Sequence, residues 1–366
     1  MRIAFMLTSL GMGGAERQVT ALAERMCARG HSVILVVLFP AVAEQWETQV
    51  RTFHLNMRRT PLRVVTGAVR AATILRHFRP DILHCHNFHG NLLGRMMKLA
   101  LPHVCVISTI HNVYEGGRMR VAAYWASDFL SQRTVAVCGA AATRMVEMRA
   151  ARQCGVIANG FDAGEFAPGE GRREGVRLEM DGQNKFIWMT AGRIMPAKGY
   201  ETLLRAFARV HSAEECCELW IAGEGKSAYA ARLRTIAAEL GLRSAVRWLG
   251  LRRDVAGLLD AADGFVLASA WEGMPLALGE AMAMEKPVVA TDVGGVRELL
   301  ADCGMLVPAG DDAALAGAML NVMHAGIEIR AAAGQVARHR MVSRFSMDAN
   351  ADAWEATYLS ALNGRV

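Results

Sequence analysis

The chain has 366 residues, of which 52% are hydrophobic and 21% are charged, and this balance excludes a disordered or a collagen-like protein. Its length is about twice that of a typical domain, so we expect two domains. No stretch of about eighteen apolar residues is free of charge, which excludes a membrane-spanning helix. The first residues are typical of a β-strand rather than of a signal peptide, so we expect a cytoplasmic protein.

The positive charge lies in the first half of the chain. The net charge is +6, but residues 1–165 contain 19 Lys and Arg against 10 Asp and Glu, a surplus of nine. Between Thr48 and Tyr114, nine Lys and Arg accompany one acid, Asp81. Clustered cations repel each other unless something neutralises them. The segment is therefore either the solvated face of an arginine-rich protein or a surface that meets anionic lipid or phosphate. Nucleic acid is the weaker interpretation, because no DNA- or RNA-binding motif accompanies the charge.

Part of this basic segment predicts an amphipathic helix. Arginines alternate with apolar residues at a spacing that can give one basic and one apolar face, able to lie at the headgroup boundary of a membrane. These residues are Leu62, Arg63, Val64, Val65, Arg70, Leu75 and Arg76. We expect the N-terminal domain to associate peripherally with the inner face of the cytoplasmic membrane, with Arg58, Arg59 and Arg63 contributing.

Short β-branched runs alternate with helical stretches along the chain, a pattern typical of parallel sheets built from βαβ units. The first series of predicted strands is Ile3–Thr8, Val33–Phe39, Thr52–Asn56, Asp81–Cys85, Val104–Ile110, Val135–Cys138 and Gly155–Ile157. The second series is Lys185–Ala191, Leu219–Ala222, Val246–Leu249, Gly264–Leu267, Pro287–Ala290 and Met305–Val307. Between the two series, Phe161–Asn184 is rich in glycine and lacks periodicity, which predicts a linker or a domain edge.

Two doubly wound α/β domains in tandem are the economical interpretation. We place the first at residues 1–163 and the second at residues 164–345. The final amphipathic helix, Met347–Leu362, has no strand to follow it. We therefore expect residues 346–366 to return and to pack on the first domain.

Ligands of doubly wound sheets bind at the carboxyl ends of strands, on loops that lead into helices. The loop 191–199 carries two cations, Arg193 and Lys198, which suit a diphosphate. Lys198 stands at a helix start, where the dipole disfavours a cation, and this favours a ligand over a structural role. Glu280 falls in an otherwise apolar helical stretch, where a carboxylate is costly unless it is paired or bound to ligand hydroxyls.

Two motifs of the first half are weaker. The loop Ser9–Arg17 has glycines that let backbone N–H groups approach an anion. It lacks the third glycine of G-x-G-x-x-G, and no acid ends the second strand, so nicotinamide binding is poorly supported. The cluster His84-Cys85-His86-x-x-His89 has metal-like spacing, but adjacent strand residues point to opposite faces and no second ligand pair follows. We expect no metal site.

Three strings in the second half resemble the family-4 retaining glycosyltransferases of the GT-B fold (bacterial group 1 glycosyltransferases). They are G-R-x(4)-K-G at 192–199, E-G-M-P-L-x(3)-E at 272–280 and T-D-V-G-G-x-x-E at 291–298. Matching segments of the first half are Gly13–Arg17, Asp81–His86, Thr109–Asn112 and Val156–Asp162. The resemblance covers essentially the whole chain. It implies two Rossmann-like domains facing across a cleft, the first binding the acceptor and the second the nucleotide sugar. One departure is Ala158, where the family usually has proline.

The resemblance also implies a role for each matching residue. Arg193 and Lys198 would hold the donor diphosphate and stabilise its charge as the nucleotide leaves. Glu280 would bind the ribose hydroxyls and Glu272 the donor sugar. The remaining contacts would come from the backbone of Gly273, Met274, Pro275 and Leu276, and from Gly13, Gly14 and His111 of the N-terminal domain. The implied reaction is a metal-independent hexosyl transfer with retention of configuration. Its donor would be a nucleotide sugar, taken as a UDP-sugar, with no further cofactor. Its acceptor would be a lipid-linked or polysaccharide glycan of the bacterial surface, as in lipopolysaccharide biosynthesis.

Three other functions compete with glycosyl transfer. A glycosidase needs one carboxyl as acid and another as nucleophile or base, but Glu272 and Glu280 are both committed to one donor. A nucleotide-sugar epimerase shares the two-domain fold and stays open, although the basic N-terminal surface argues against it. A non-catalytic sugar-nucleotide-binding protein is disfavoured because Arg193, Lys198, Glu272 and Glu280 are all present.

Overall fold

The computed structural model describes residues 1–11, 13–41, 47–58, 60–169 and 172–364. Contacts divide the chain into two compact units. Unit 1 comprises Met1–Gly160 together with Met347–Val366, and unit 2 comprises Phe161–Ser346. The boundaries that we predicted, 163 and 345, differ from these by three residues and by one.

The described part of unit 1 forms a seven-stranded parallel sheet with the order β3-β2-β1-β4-β5-β6-β7. Its strands are β1 Arg2–Leu7, β2 Ser32–Val37, β3 Thr52–His54, β4 Ile82–His86, β5 Cys105–Ile110, β6 Arg133–Ala136 and β7 Gly155–Val156. Its helices are α1 Gly14–Ala28, α2 Pro61–Phe78, α3 Asn87–Ala100, α4 Arg118–Ser127, α5 Gly139–Glu147 and, from the end of the chain, α14 Met347–Asn363. A short 3-10 helix, Asp128–Leu130, follows α4.

Helices cover both faces of this sheet, as a parallel sheet requires. Alternate residues of β1 point to opposite faces. Phe5 and Leu7 pack in a cluster with side chains of α1 and α14, whereas Ala4 and Met6 pack with side chains of α2 and α3. This arrangement explains why β1 is apolar from Ile3 to Leu7.

The C-terminal helix α14 completes the core of unit 1, as we predicted. Trp354 and Tyr358 are buried in the same cluster as β1 and α1. Polar contacts fix the helix at its edge, because the Arg29 guanidinium lies 2.6 Å from Asp352 Oδ1 and 2.5 Å from Glu355 Oε2. The helix is therefore a structural part of unit 1.

The described part of unit 2 forms a six-stranded parallel sheet with the order β10-β9-β8-β11-β12-β13. Its strands are β8 Phe186–Ala191, β9 Cys217–Ala222, β10 Val246–Gly250, β11 Gly264–Leu267, β12 Val288–Thr291 and β13 Met305–Val307. Its helices are α6 Arg172–Glu179, α7 Tyr200–Ala213, α8 Ser227–Glu239, α9 Val255–Ala261, α10 Leu276–Ala283, α11 Val296–Leu300, α12 Asp312–His324 and α13 Ile327–Arg344. The prediction of two doubly wound Rossmann-like domains is confirmed.

The segment Phe161–Asn184, which we predicted to be a linker or a domain edge, begins at the boundary of unit 2, and α6 forms within it although its composition did not indicate a helix. Two arginines fix this helix to the turn before β11. Arg177 donates to Ala261 O at 2.8 Å and to Asp263 Oδ2 at 2.5 Å. Arg173 donates to Ala262 O at 2.8 Å and also binds Asp263. These partners lie more than eighty residues away in the chain, so local periodicity does not reveal the helix.

No helix in the described ranges is both long and apolar enough to cross a bilayer.

Candidate functional site

The loops that follow β8 and β11 meet at the point where the strand order of unit 2 reverses, which is where doubly wound sheets bind ligands. Gly199, at the end of the β8 loop, has φ 62° and lies so close to Ala268 that a Cβ would overlap the Ala268 carbonyl oxygen. Only glycine fits there. The two loops are also joined directly, because Ala270 N donates to Ala197 O at 2.8 Å.

This juncture pairs two of the predicted residues, Lys198 and Glu272. Lys198 Nζ lies 2.5 Å from Glu272 Oε1, and Ser269 Oγ donates to the same oxygen at 2.7 Å. Glu272 is buried, whereas 21% of the Lys198 side chain is exposed. An ammonium has three N–H donors, so Lys198 can keep Glu272 as a partner and still donate to an anionic ligand.

Arg193 lies on the same loop as Lys198 and is exposed. Among the described residues, none forms a hydrogen bond or an ion pair with its guanidinium. The structure therefore places both predicted cations on one loop and pairs only Lys198. Arg193 has five N–H donors that solvent or a ligand can use.

The helix α10 begins directly after Pro275 and carries Glu280 in its second turn, where the side chain is buried. Gly273, Met274 and Pro275 are buried too, and Leu276 is half-buried. The first N–H groups of a helix have no intrahelical acceptor, and here no side chain caps them. The start of α10 is therefore suited to a negatively charged ligand.

The segment 291–298, the third of the matching strings, is hydrogen-bonded to the loop that precedes α10. Gly295 N donates to Gly273 O at 2.7 Å, and Thr291 Oγ1 donates to Ser269 O at 2.7 Å. The loops after β11 and β12 are thus hydrogen-bonded to each other. The positions of Glu272 and Gly273 depend on these contacts as well as on their own loop.

In unit 1, Gly13 caps α1 and Gly14 is its first residue, at the carboxyl end of β1. Met12 lies outside the described residues. A Cβ at Gly13 would overlap the carboxylate of Glu16, so an acidic side chain lies over this helix start. A glycine loop at the predicted place is present, and it shares its space with a carboxylate that the sequence pattern did not single out.

His111 follows β5 and pairs with a histidine at the end of β4. His86 Nδ1 and His111 Nε2 are 3.0 Å apart. Burial lowers the pKa of His86 well below its usual value, with further lowering from His84 and His111. Burial also lowers the pKa of His111 to about 4. Both imidazoles are therefore neutral near pH 7, and one of them donates to the other.

His84 and His86 lie two residues apart on β4, with ring centroids 4.1 Å apart. The nitrogens of His84 are occupied by Tyr358 Oη and Thr109 Oγ1, each at 2.7 Å. No group of three or more His, Cys, Asp or Glu within the part of the chain that the structure describes could hold a metal ion. The absence of a required metal stays a prediction.

Sequence reasoning missed Glu115, a half-buried acid in the loop after His111. Tyr124 Oη donates to its Oε2 at 3.2 Å. Burial raises the pKa of this carboxyl to about 6, and the Tyr124 hydroxyl, two backbone N–H groups and Arg120 oppose that shift. His86, the partner of His111, and Ser269, the partner of Glu272, were also missed. The H-x-H spacing of β4 was a signal for His86, whereas Ser269 and Glu115 sit in no pattern that marks them.

The basic segment of unit 1 differs from its prediction at two side chains. Arg95 is fully buried, where it donates to Ser108, Ser127, Thr134 and the Tyr124 carbonyl, so it is not a surface cation. Leu75 belongs to the core, so it is not part of an exposed apolar face. Leu62, Val64 and Val65 are exposed as predicted. Arg59 lies outside the described residues.

Comparisons with known proteins match both halves of the chain to glycosyltransferases. A family described as Glycosyl transferases group 1 matches residues 185–325, and one described as Glycosyltransferase Family 4 matches residues 12–165. Together the two matches cover most of both units.

Among curated relatives, the chain is 25% identical over 237 residues to the UDP-Gal:alpha-D-GlcNAc-diphosphoundecaprenol alpha-1,3-galactosyltransferase of Escherichia coli, covering 61% of this chain and 60% of that enzyme. It is 30% identical over 318 residues to the D-inositol 3-phosphate glycosyltransferase of Segniliparus rotundus, covering 81% of this chain and 70% of that enzyme. The chain thus spans less than two thirds of the first of these relatives. Among solved structures, HepE (Alr3699) of Anabaena in complex with UDP-glucose has a TM-score of 0.85 at 21% identity, with 98% of this chain and 100% of HepE aligned. At this identity the match establishes the fold.

Proposed function

The chain belongs to the group 1 glycosyltransferases of family 4, and on that premise we propose that it transfers a hexosyl group from a UDP-sugar. The acceptor in this proposal is a lipid-linked or polysaccharide glycan of the bacterial surface, as in lipopolysaccharide biosynthesis. The transfer retains the anomeric configuration and uses no metal ion.

Relatives support the choice of donor and of acceptor class. The name of the E. coli relative specifies UDP-galactose as donor and a diphosphoundecaprenol-linked sugar as acceptor. HepE binds UDP-glucose in the crystal. Two further relatives from Rhizobium meliloti are lipopolysaccharide core glycosyltransferases.

The observation that carries the proposal is the partly exposed Lys198 ammonium paired with the buried Glu272 carboxylate, on the two loops that meet where the strand order of unit 2 reverses. In a transfer reaction, the bond between the sugar C1 and the diphosphate oxygen breaks, and negative charge grows on the diphosphate. Lys198, Arg193 and the backbone N–H groups at the start of α10 can stabilise that charge. A nucleoside diphosphate then leaves without a general acid.

The other site residues take roles that suit their surroundings. Glu280 binds the ribose hydroxyls, because a buried carboxylate is a strong acceptor for two neighbouring O–H groups. Glu272 contacts the donor sugar and orients Lys198. His111, Gly13 and Gly14 are the contributions of unit 1. The sugar C1 forms a bond to the acceptor oxygen as its bond to the diphosphate oxygen breaks, and the acceptor hydroxyl proton passes to the departing diphosphate.

Incubation with radiolabelled UDP-, GDP- and ADP-sugars tests this proposal and separates its rivals. A glycosyltransferase releases the nucleoside diphosphate, by slow hydrolysis if no acceptor is present and faster when membrane glycans are added. A nucleotide-sugar epimerase changes the sugar and releases no nucleotide, and a binding protein changes nothing. Absence of nucleotide release from every donor, with membrane glycans present, would refute the proposal.

We also propose that unit 1 works at the surface of an anionic membrane from the cytoplasmic side, and that it binds no nucleic acid. The surplus of nine cations in residues 1–165 supports this, because cations near an anionic leaflet are attracted by about 1 kcal/mol each. The exposed apolar residues of α2 support it too.

A further inference from the structure

Large apolar side chains are exposed on one of the two helical layers of unit 1. The part of this layer formed by α2, α3 and α4 is called here the α2–α4 layer, and α5 lies beside α4 on the same face of the sheet. Its exposed apolar residues are Leu62, Val64, Val65 and Val69 of α2, Met96 and Leu99 of α3, Met119 and Trp125 of α4, and Phe129 of the 3-10 helix that follows. In the opposite layer, α1 and α14, the described residues expose one such side chain, Leu359. The difference in exposed apolar side chains between the two layers involves several helices, so the sequence of α2 alone does not reveal it.

The same layer has no negative charge on its three helices. The sequences of α2, α3 and α4 contain no Asp or Glu. Their cations outside the core are Arg63, Arg70, Arg76, Lys98, Arg118 and Arg120. The acids beside these helices are Asp128 of the 3-10 helix and Glu147 of α5, and a surface that is both apolar and predominantly cationic is unusual for a face that meets only water.

A cavity of about 580 Å³ lies at one end of this layer and is lined by Arg2, Arg76, His77 and Arg79. Arg2 is fixed, because its Nε donates to Phe78 O at 2.6 Å and its guanidinium stacks 4.6 Å from the Phe78 ring centroid. The guanidinium groups of Arg76 and Arg79 have no hydrogen-bond or ion-pair partner among the described residues. Three arginines therefore converge on one cavity with donors to spare.

The cavity and the apolar residues are aligned along α2. Leu62, Val65, Val69 and Arg76 follow one another at intervals of three, four and seven residues, which keeps them on one side of a helix. At 1.5 Å per residue, Arg76 lies about 10 Å beyond Val69 along the axis. The exposed side of α2 is thus apolar in its first half and cationic at its end.

These observations select an occupant for the layer. A second copy of the same surface would place cations against cations. A nucleic acid would leave Leu62, Met119, Trp125 and Phe129 without an apolar partner. A bilayer with anionic headgroups satisfies both properties, because apolar side chains reach the acyl boundary while cations meet phosphate. Tryptophan is also enriched at that boundary.

We propose that the α2–α4 layer docks on a bilayer of anionic phospholipid, with Leu62, Val69, Trp125 and Phe129 in the headgroup boundary and a lipid phosphate in the Arg2–Arg76–Arg79 cavity. The inference rests on the proposed membrane association and specifies its face, its anchors and its headgroup site. In the cavity, the lipid phosphate is held by guanidinium groups, each of which can donate to two phosphate oxygens at once.

Sedimentation of the full chain with vesicles tests the anchors. The vesicles are phosphatidylcholine alone or phosphatidylcholine with phosphatidylglycerol. The double variant Trp125→Ser and Phe129→Ser should reduce binding to the anionic vesicles at least about tenfold, since both aromatic side chains lose their apolar burial in the bilayer. The matched control Leu359→Ser, on the opposite layer, should bind as the native chain does. Equal losses in both, or full binding by the double variant, would refute the docking face.

A pair of charge-matched variants tests the cavity. Arg76→Gln with Arg79→Gln should weaken binding about thirtyfold, from two cations of about 1 kcal/mol each. Arg205→Gln with Arg243→Gln removes the same charge from exposed positions of unit 2 and should change binding little. Equal losses would mean that net charge alone drives binding and would overturn the headgroup site. Thermal melts establish that each variant is folded.

Two further measurements separate other occupants and the enzymatic proposal. Inorganic phosphate that binds the cavity without weakening vesicle binding would identify a free-anion site and overturn the lipid assignment. A dimer in lipid-free gel filtration that the Trp125→Ser and Phe129→Ser variant abolishes would identify a protein interface instead. Release of nucleotide from a donor in vesicle-free buffer should be equal in all variants, so docking and transfer can fail independently.

Discussion

At the scale of single residues, the Lys198–Glu272 ion pair differs from an ordinary ion pair on the protein surface. Glu272 is buried and keeps Ser269 as a second donor, so its charge is held in place whether or not Lys198 has another partner. Removing one member of a buried pair leaves the other uncompensated. The pair therefore couples the loop after β8 to the loop after β11, and it places an ammonium where diphosphate charge would develop.

We predict that Lys198→Ala and Glu280→Ala each lower turnover of the true donor by two or more orders of magnitude. One lost electrostatic contact to a charged leaving group costs about 2.7–4 kcal/mol in comparable sites. The measurement is kcat for nucleotide release, with Lys226→Ala, an exposed lysine of the same unit, as the control. Near-native activity in either variant, with folding intact, would remove the donor site from unit 2.

Glu115 leads to a prediction about stability. Its pKa in the folded chain, about 6, lies above the ordinary value of 4.5. The folded state therefore binds this proton more tightly than the unfolded state does, and the associated stability is lost as the pH rises through about 6.

Replacing Glu115 by Gln should accordingly raise the free energy of unfolding of unit 1, relative to the native chain, by more at pH 8 than at pH 5. The difference between the two pH values should be up to about 2 kcal/mol. Urea unfolding at the two pH values measures the difference. Glu147→Gln, at an exposed position of the same unit, is the control. A Glu115→Gln difference that does not change with pH would mean that the carboxyl is not destabilised by burial.

The motif spacing predicted which residues of unit 2 lie on the ligand-facing loops, but not which of them contact each other. The motif strings placed Lys198 and Glu272 on two loops that the parallel sheet brings together at the reversal of strand order. That Lys198 pairs with Glu272 depends on the close approach of Gly199 to Ala268, which no periodicity contains. Arg95 illustrates the same limit, because the hydroxyls that bury it come from β5, α4 and β6.

At the scale of elements, strands were predicted within a few residues because β-branched runs end in glycine, proline or polar residues. The helix α6 was missed because its stability comes from Arg173 and Arg177 binding the turn before β11. The exposed side of α2 could be predicted only in part. Leu75 shares its apolar character with Leu62, and packing on the sheet alone decides which is buried.

The role of α14 in the core of unit 1 leads to a prediction for Trp354→Ala. A buried aromatic side chain lost from a core costs about 3–5 kcal/mol, so unit 1 should become sensitive to protease while unit 2 stays resistant. Limited proteolysis with identification of the fragments measures this. Leu359→Ala, on the exposed side of the same helix, should be neutral. Cleavage of unit 2 before unit 1 would contradict the assignment of α14.

At the scale of the whole molecule, the two units should respond differently to acid. Unit 1 buries His84, His86 and His111, and burial lowers the pKa of all three. Below about pH 6.5 the unfolded chain therefore binds protons that the folded unit does not, so unit 1 loses stability as the pH falls toward about 4. Protonation of Glu115 stabilises unit 1 as the pH falls through about 6, but this is one group against three histidines.

Calorimetry should show the transition of unit 1 moving several degrees downward between pH 7 and pH 5. One pKa unit is worth about 1.4 kcal/mol, and a unit of this size shifts by about 2–4 °C per kcal/mol. The unit 2 transition, identified by its response to UDP, should move less. A unit 1 transition that does not move would show that the three imidazoles are protonated without cost.

The return of α14 to unit 1 also has a consequence for how the protein is made. A ribosome completes all of unit 2 before it adds Met347–Asn363, so the core around Phe5, Leu7 and Met26 stays open while Phe161–Ser346 is synthesised. Unit 2, whose elements are contiguous in the chain, can reach its native state first. Unit 1 would then complete its folding last, although most of it is synthesised first. During that interval an unfinished apolar surface next to β1 is accessible, and chaperones that recognise exposed apolar segments would engage the nascent protein there.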